Sequence, residues 1–327
     1  MPSSLTISIA MCTYNGERFV QEQLESFSAQ TRLPDEVVIC DDSSQDNTLA
    51  LLHDFASRAP FPVRIFINPE NLGVAKNFEK AISLCSGDIT ALSDQDDVWL
   101  PEKLAIIERT FEASPEVGCV FSDAMAVDEH LQPLHYSLWD AIDFKPRYRN
   151  PAQKEFHQFI LKGWVIAGAT MAFRTQLVRP FIPFPADLYH DEWLSFVFCA
   201  SAEISVLPHQ LNKYRQHAAQ CYGVKRASLF EELRGTKHVQ RKYYLEFASR
   251  WVSAISLLCS HKDLNIKKIF LTAAIDQIKH LQARATMPGS LARRLPLIWQ
   301  EAINGRYHRC SNGMRSILKD LLLFEQI

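Results

Sequence analysis

The chain has 327 residues, 47% apolar and 22% charged, the balance of an ordinary folded protein with room for one large domain or a domain plus an appendage. This excludes disorder, collagen-like repeats and a long coiled coil, and no apolar stretch approaches the ~18 residues of a membrane span. A net charge of −2 hides a division: residues 1–224 hold 17 Lys and Arg against 29 Asp and Glu, whereas residues 225–327 hold 18 against 8. Clustered carboxylates in the front suit metal binding, and a basic tail suits an anionic surface, the acidic front or solvent.

The first 125 residues alternate strand and helix patterns, which predicts a mostly parallel sheet flanked by helices. Strands are expected at Thr6–Met11, Glu36–Asp41, Val63–Asn68, Asp88–Ser93 and Gly118–Ser122. Between them, Phe19–Phe27, Thr48–Phe55 and Val74–Leu84 carry apolar stripes at helical spacing, and a fourth helix is expected to start at Pro101 and run to about Ala113. Residues 126–160 are irregular and rich in Pro and aromatics. A mixed region to about Gly223 holds apolar runs at Trp164–Phe173 and Glu203–Leu207. The tail beyond is helical, with Ile266, Phe270, Ala273, Ala274, Ile278 and Leu281 on one stripe.

Several chemistries are excluded by missing spacings. The eight cysteines contain no C-x-x-C, and the glycines form neither a dinucleotide fingerprint nor a P-loop. H-E-x-x-H and G-x-S-x-G are also missing. The first residues lack a basic n-region, so a cytoplasmic location is expected.

In a parallel α/β sheet, ligands sit at the carboxyl ends of the strands. Thr13-Tyr14-Asn15 follows the first strand, Asp41-Asp42-Ser43-Ser44 the second, Asn71-Leu72-Gly73 comes soon after the third, and Asp94-Gln95-Asp96-Asp97 follows the fourth. Three carboxylates in four residues repel one another, and oxygen donors call for Mg²⁺ or Mn²⁺ between them and a diphosphate. A D-x-D pair alone occurs in many unrelated turns and helix caps.

These segments, with Ser86-Gly87-Asp88 and in this order, closely resemble family 2 glycosyltransferases of the GT-A fold. Ser93-Asp94-Gln95-Asp96-Asp97-Val98-Trp99, His190-Asp191-Glu192-Trp193-Leu194 and Tyr214-Arg215-Gln216-His217 resemble rhamnosyltransferase-type members that build bacterial surface polysaccharide. The resemblance covers residues 5–223. It implies a GT-A domain over 1–223, with a nucleotide-sugar half at 1–125 and an acceptor half at 126–223, followed by a basic helical region at 224–327.

Residue by residue, the resemblance implies that Thr13 and Tyr14 border the nucleobase, beside Asn15. Asp42 would accept from the base, Asp41 would support the same pocket, and Asn71, Gly73 and Gln95 would belong to the donor side. Asp96 would contact the metal, and Asp94 the sugar, the ribose or the metal. Asp97 would bind metal through water or cap the next helix. Asp191 would be the base that takes the acceptor proton, with Glu192 its local competitor and Trp193 beside the acceptor or packed beneath it. His217 is implied as a third metal ligand and Arg215 as a phosphate contact. The chain continues Ala218-Ala219-Gln220, where relatives usually have Gly and Asn. Gly168 resembles the segment beside the acceptor.

The implied reaction moves a sugar from a UDP- or dTDP-sugar to a saccharide or lipid-linked saccharide, with inversion. Two competing readings are a sugar nucleotidyltransferase and a non-catalytic glycan or nucleotide-sugar binder. The first lacks support, because Thr13-Tyr14-Asn15-Gly16-Glu17 stands where such enzymes carry a Gly-rich, Arg-containing loop. Nucleic acid is excluded as a partner, since the chain has no recognisable module for it and its front is acidic. The basic tail leaves three uses open: peripheral contact with anionic lipid, helical packing, or a homodimer contact.

Overall fold

Strand β1 (Ile7–Thr13) is buried along its whole length, as is β2 (Glu36–Asp41), because helices cover both faces of a parallel sheet. The structure, a computed structural model, describes residues 5–163, 166–218, 220, 241–262 and 264–322. The boundary expected at 223/224 lies outside these residues. The chain divides into two units, Met1–Asp143 with Ile166–Phe198 and Ala202–Val224, and Phe144–Val165 with Cys199–Ser201 and Lys225–Ile327.

In the first unit, α1 (Val20–Ser28), α2 (Thr48–Arg58) and α3 (Val74–Leu84) alternate with β1, β2, β3 (Val63–Ile67) and β4 (Ile89–Ser93). Strands β1, β2, β3 and β4 pair in parallel in the order β3-β2-β1-β4. Apolar stripes from α1 and α2, including Leu24, Phe27, Leu52 and Phe55, meet Ile9, Met11 and Val37 of the sheet in one core. Helix α4 (Lys103–Ala113) begins two residues after Pro101, which sits in the preceding turn.

Beyond α4 the sheet becomes mixed. Strand β6 (Val117–Val127) pairs in antiparallel fashion with β8 (Met171–Arg174) and runs five residues further than expected because β9 (Glu203–Arg215) pairs with it in parallel as far as Val127. The short β5 (Val98–Trp99) pairs with the end of β9, and β7 (Pro133–Ser137) with β6. A short helix α5 (Leu138–Ala141) follows β7, with a capping box on Ser137 and Asp140. Helix α7 (His190–Ser201) starts in this unit; α6 (Lys154–Ile160) belongs to the second.

The second unit holds α8 (Arg241–Ser260), α9 (Lys268–Ala285), α10 (Leu291–Ile303), α11 (Arg306–Cys310) and α12 (Met314–Leu322). The expected stripe of α9 buries Phe270, Ala273, Ala274 and Leu281. Among its buried residues are three polar ones that periodicity did not indicate, Gln277, His280 and Arg284. Arg284 makes two hydrogen bonds to Asp320, at 2.9 and 2.7 Å, and Tyr307 donates to the same carboxylate at 2.7 Å. His280 and Arg306 both contact Glu301. A buried carboxylate held by two partners avoids the penalty of an isolated charge.

Candidate active site

Strand register assembles the site. Thr13 lies opposite Asp41 across β1 and β2, and Met11 opposite Ser93 across β1 and β4, so the residues just beyond leave the sheet at one carboxyl edge.

On the β1–β2 side, the Thr13 hydroxyl donates to Asp41 at 2.8 Å, and Asp41 also accepts from the Ser44 backbone and hydroxyl. Both residues are buried; Asp41, expected to support the nucleobase pocket, is held there by Thr13, which was expected to border it, and by Ser44. Asp42 accepts from Asn68 Nδ2 and the Leu72 N–H on Oδ1 and from the Gly73 N–H on Oδ2. A carboxylate has about four acceptor positions, which leaves one on Oδ2. Asn71 closes this loop by accepting from the Gly73 N–H, and Gly73, at φ +81°, takes a backbone conformation that suits glycine. Asn15 bridges to the second loop through Ser44 Oγ and the Gln45 N–H. Tyr14 stands exposed above these groups.

Gln95 joins the first and fourth loops, because its amide accepts from the Tyr14 N–H at 2.8 Å and donates to the Tyr14 carbonyl at 3.0 Å. Gln95, expected on the donor side, thus staples the two loops together. A side chain at Gly16 would stand 2.2 Å from Gln95 Oε1, which explains glycine at that position.

The carboxylates of the fourth loop differ in their surroundings. Asp97 is buried, accepts from the Arg215 N–H at 3.0 Å and from Asn212 at 3.2 Å, and so ties the loop to β9 rather than capping α4. Burial and the Asp96 charge push its carboxyl up to about 7. Burial also pushes Asp94 well above the usual carboxylate range, followed by Asp96, Asp97 and Asp191, while Lys103 opposes the shift. Asp42 and Asp94 in turn both act on the Cys12 thiol, which burial pushes up. The charge of Asp191 thus reaches Asp94 of the fourth loop, and those of Asp42 and Asp94 both reach Cys12.

Arg215 is corrected from its expected role. Its guanidinium, 1% exposed, donates to the Asp96 and Glu129 carbonyls and to the Glu22 carboxylate and lies 4.5 Å over the Phe19 ring. It clamps the Asp94–Asp97 loop rather than reaching for phosphate.

His217 Nε2 lies 2.9 Å from Asp96 Oδ2, and its Nδ1 is buried without a hydrogen-bond partner. Among the described residues, no three His, Cys, Asp or Glu side chains group closely enough to hold a metal by themselves. Two neighbouring ligands of an octahedral Mg²⁺ or Mn²⁺, each at about 2.1 Å, stand about 3 Å apart, so Asp96 and His217 have the spacing of one edge of such a shell. Carboxylate and imidazole are chemically suited to Mn²⁺, and Asp94 lies close enough to add to the charge. The residues fit a divalent ion whose remaining ligands come from elsewhere.

Asp191 enters from the first turn of α7. Its Oδ2 accepts from the Gly168 N–H at 3.3 Å and its Oδ1 from the Glu192 N–H at 2.8 Å. His190 stacks on Phe78, with ring centroids 3.9 Å apart, and a side chain at Gly168 would meet its Nε2 at 2.6 Å. Burial lowers the His190 pKa, which favours neutral imidazole. Trp193 is fully buried and donates to the Phe181 carbonyl at 3.3 Å, so it packs beneath the site and does not stack on an acceptor. Glu192, also buried, accepts from the Tyr189 N–H at 3.4 Å.

Sequence reasoning missed Lys103. It is fully buried, donates to the Ala169 carbonyl at 2.7 Å and lies 3.9 Å over the Trp99 ring. Burial pulls its ammonium down to about 7 against the charges of Asp97 and Asp94. The available signal was its place in an apolar helical pattern with Leu104, Ile107 and Phe111.

A mixed sheet in this order, with acidic loops at the carboxyl edge, defines a nucleotide-diphospho-sugar transferase fold of the GT-A type. Residues 8–180, over half of the chain, match the model of glycosyl transferase family 2, and the chain belongs to that family. Among solved structures, Staphylococcus aureus TarS 1–349 in complex with UDP-GlcNAc aligns over 97% of this chain and 82% of its own, with TM-score 0.60 and 16% identity. A mannosyltransferase from Pyrobaculum calidifontis, in complex with GDP-Man and Mn²⁺, aligns over 99% and 89%, with TM-score 0.55 and 19% identity. At such identities the likeness concerns the fold. An uncharacterised Mycobacterium tuberculosis protein is 28% identical over 221 residues, 65% of this chain and 59% of that protein, so the match spans about three fifths of that relative's length. The dTDP-rhamnosyl transferase RfbG of Shigella flexneri is 38% identical over 98 residues, 29% of this chain and 34% of its own.

Proposed function

We propose that the chain transfers a sugar from a UDP- or dTDP-sugar to a hydroxyl of a saccharide or lipid-linked saccharide, with inversion, in the synthesis of a surface polysaccharide. The observation that carries this reading is that the Asp94–Asp97 loop leaves β4, which pairs with β8, while Asp191 accepts from the Gly168 N–H just ahead of β8, so the two acidic segments end on adjoining strands and the Asp191 charge acts on Asp94.

Tyr14 offers a ring face to the nucleobase, and the open position on Asp42 Oδ2 accepts its N–H. Asp96 and His217 would hold Mg²⁺ or Mn²⁺, which when bound supplies positive charge to the leaving diphosphate. Asp191 takes the proton of the acceptor hydroxyl; the freed oxygen attacks the anomeric carbon as its bond to the diphosphate oxygen breaks, and the electron pair leaves with the diphosphate. The Gly168 N–H fixes the Asp191 carboxylate. Neutral His190 beneath the turn adds no competing charge.

The test is incubation with UDP-, dTDP- and GDP-sugars and a saccharide acceptor, with Mn²⁺ or with chelator. Metal-dependent release of nucleoside diphosphate with a new bond of inverted configuration is expected. Pyrophosphate release from a nucleoside triphosphate, or ligand binding without turnover, would overturn the reading.

A further inference from the structure

A surface helix normally buries its apolar stripe and shows polar residues to water. Helix α10 does this with Ile298, beside which Leu297 and Ala302 pack half-buried, but it carries a second apolar edge outside. It buries Arg294, Ile298 and Glu301, while Leu291, Leu295, Trp299 and Ile303, spaced by four, face outward; Trp299 is 69% and Ile303 68% exposed. Helix α12 is built alike: Ser316 and Asp320 are buried and Ile317 and Leu321 pack half-buried on the core, while Met314, Leu318 and Leu322 are exposed, the last at 75%. Among the inward polar groups, Glu301 pairs with Arg306 and Asp320 with Arg284, Arg294 donates to the Gly289 and Leu321 carbonyls, and the Ser316 hydroxyl accepts from the Asn312 N–H.

We propose that these outer faces form a docking surface for an anionic lipid bilayer, on which the helices lie flat. The charge distribution selects this occupant. Glu301 and Asp320 are the sole acidic residues in 286–322, and both are buried, whereas Arg293 and Arg315 are exposed. An apolar stripe with an exposed Trp and flanking cations matches the interface between headgroups and acyl chains. A second copy of the chain would bring cation against cation with no acidic residue from this segment to pair them. Among the described residues no helix is long and apolar enough to cross a membrane, so the contact is peripheral.

The full chain is sedimented with vesicles of phosphatidylcholine alone and of phosphatidylcholine with phosphatidylglycerol. Binding roughly 10-fold stronger to the anionic vesicles and weakening as salt rises is expected. Trp299→Ser combined with Ile303→Ser lowers that binding by about 10-fold or more at an unchanged melting temperature. Arg293→Glu, which leaves the apolar stripe intact, lowers it severalfold. Absence of binding to anionic vesicles, or binding unchanged by both variants, overturns the proposal. A concentration-dependent dimer that the double substitution abolishes, without vesicle binding, overturns it in favour of a second copy. The vesicles contain no sugar nucleotide, so the outcome is independent of the proposed reaction.

Discussion

Lys103 Nζ donates to the Ala169 carbonyl at 2.7 Å from a fully buried position, one residue past the Gly168 amide that meets Asp191. One cation thereby touches the turn that carries the proposed base's partner while its charge acts on Asp94 and Asp97 of the other acidic segment. Burial already draws Lys103, Asp94 and Asp97 toward their neutral forms, so removing the lysine costs chiefly the hydrogen bond of the buried Ala169 carbonyl and the partial charge balance, about 1–3 kcal/mol. Lys103→Met is expected to lose that much stability in urea unfolding; a loss below about 1 kcal/mol would show that the cluster does not depend on this cation.

Asp191→Asn keeps the size of the side chain and removes its basicity. Transfer is expected to fall by about 10²-fold or more while donor affinity, measured calorimetrically, changes less than about twofold. A large loss of donor binding would move Asp191 to the donor site.

The pair His217 and Asp96 predicts a metal effect that can be read without turnover. His217→Ala is expected to weaken Mn²⁺ binding in the presence of nucleoside diphosphate by about 10–100-fold, followed by the paramagnetic signal of free Mn²⁺. An unchanged titration would remove His217 from the shell.

Gly168→Ala inserts a Cβ 2.6 Å from His190 Nε2, and the imidazole stacked on Phe78 has little room to retreat. Overpacking of this kind costs about 1–3 kcal/mol. Thermal unfolding should report the loss, and turnover should fall more than donor affinity because Asp191 shifts with the turn.

Glu36, at the start of β2, links stability to acid. Burial works against its charge, but hydrogen bonds from Ser8, Ser86 and Arg64 hold the carboxyl down at about 2, against an ordinary 4.5. A depressed folded-state pKa means that the unfolded chain binds the proton first, so this stabilisation is complete above about pH 4.5 and is lost as pH falls toward 2. Glu36→Gln should cost about 1.5–3 kcal/mol at pH 7 and flatten the fall in urea midpoint between pH 5 and pH 3. An acid limb identical to the parent's would refute the assignment.

The amino-acid order alone determined the alternation of strands and helices through Ser93, and with it the placement of Thr13, Asp41, Asp42 and Asp94 at one sheet edge. Each of those features follows from periodicity within a few residues and from the rule that parallel strands open their ligand sites at their carboxyl ends. Which of these side chains reach outward and which serve beneath was settled only by tertiary contacts. Arg215 meets Glu22 across 193 positions of the chain, Lys103 meets Ala169 across 66, and the inward polar faces of α10 and α12 exist because Arg284, His280 and Tyr307 come from other helices. A buried charge is tolerated only where a partner waits, and no local pattern records a partner that folding supplies from a distance.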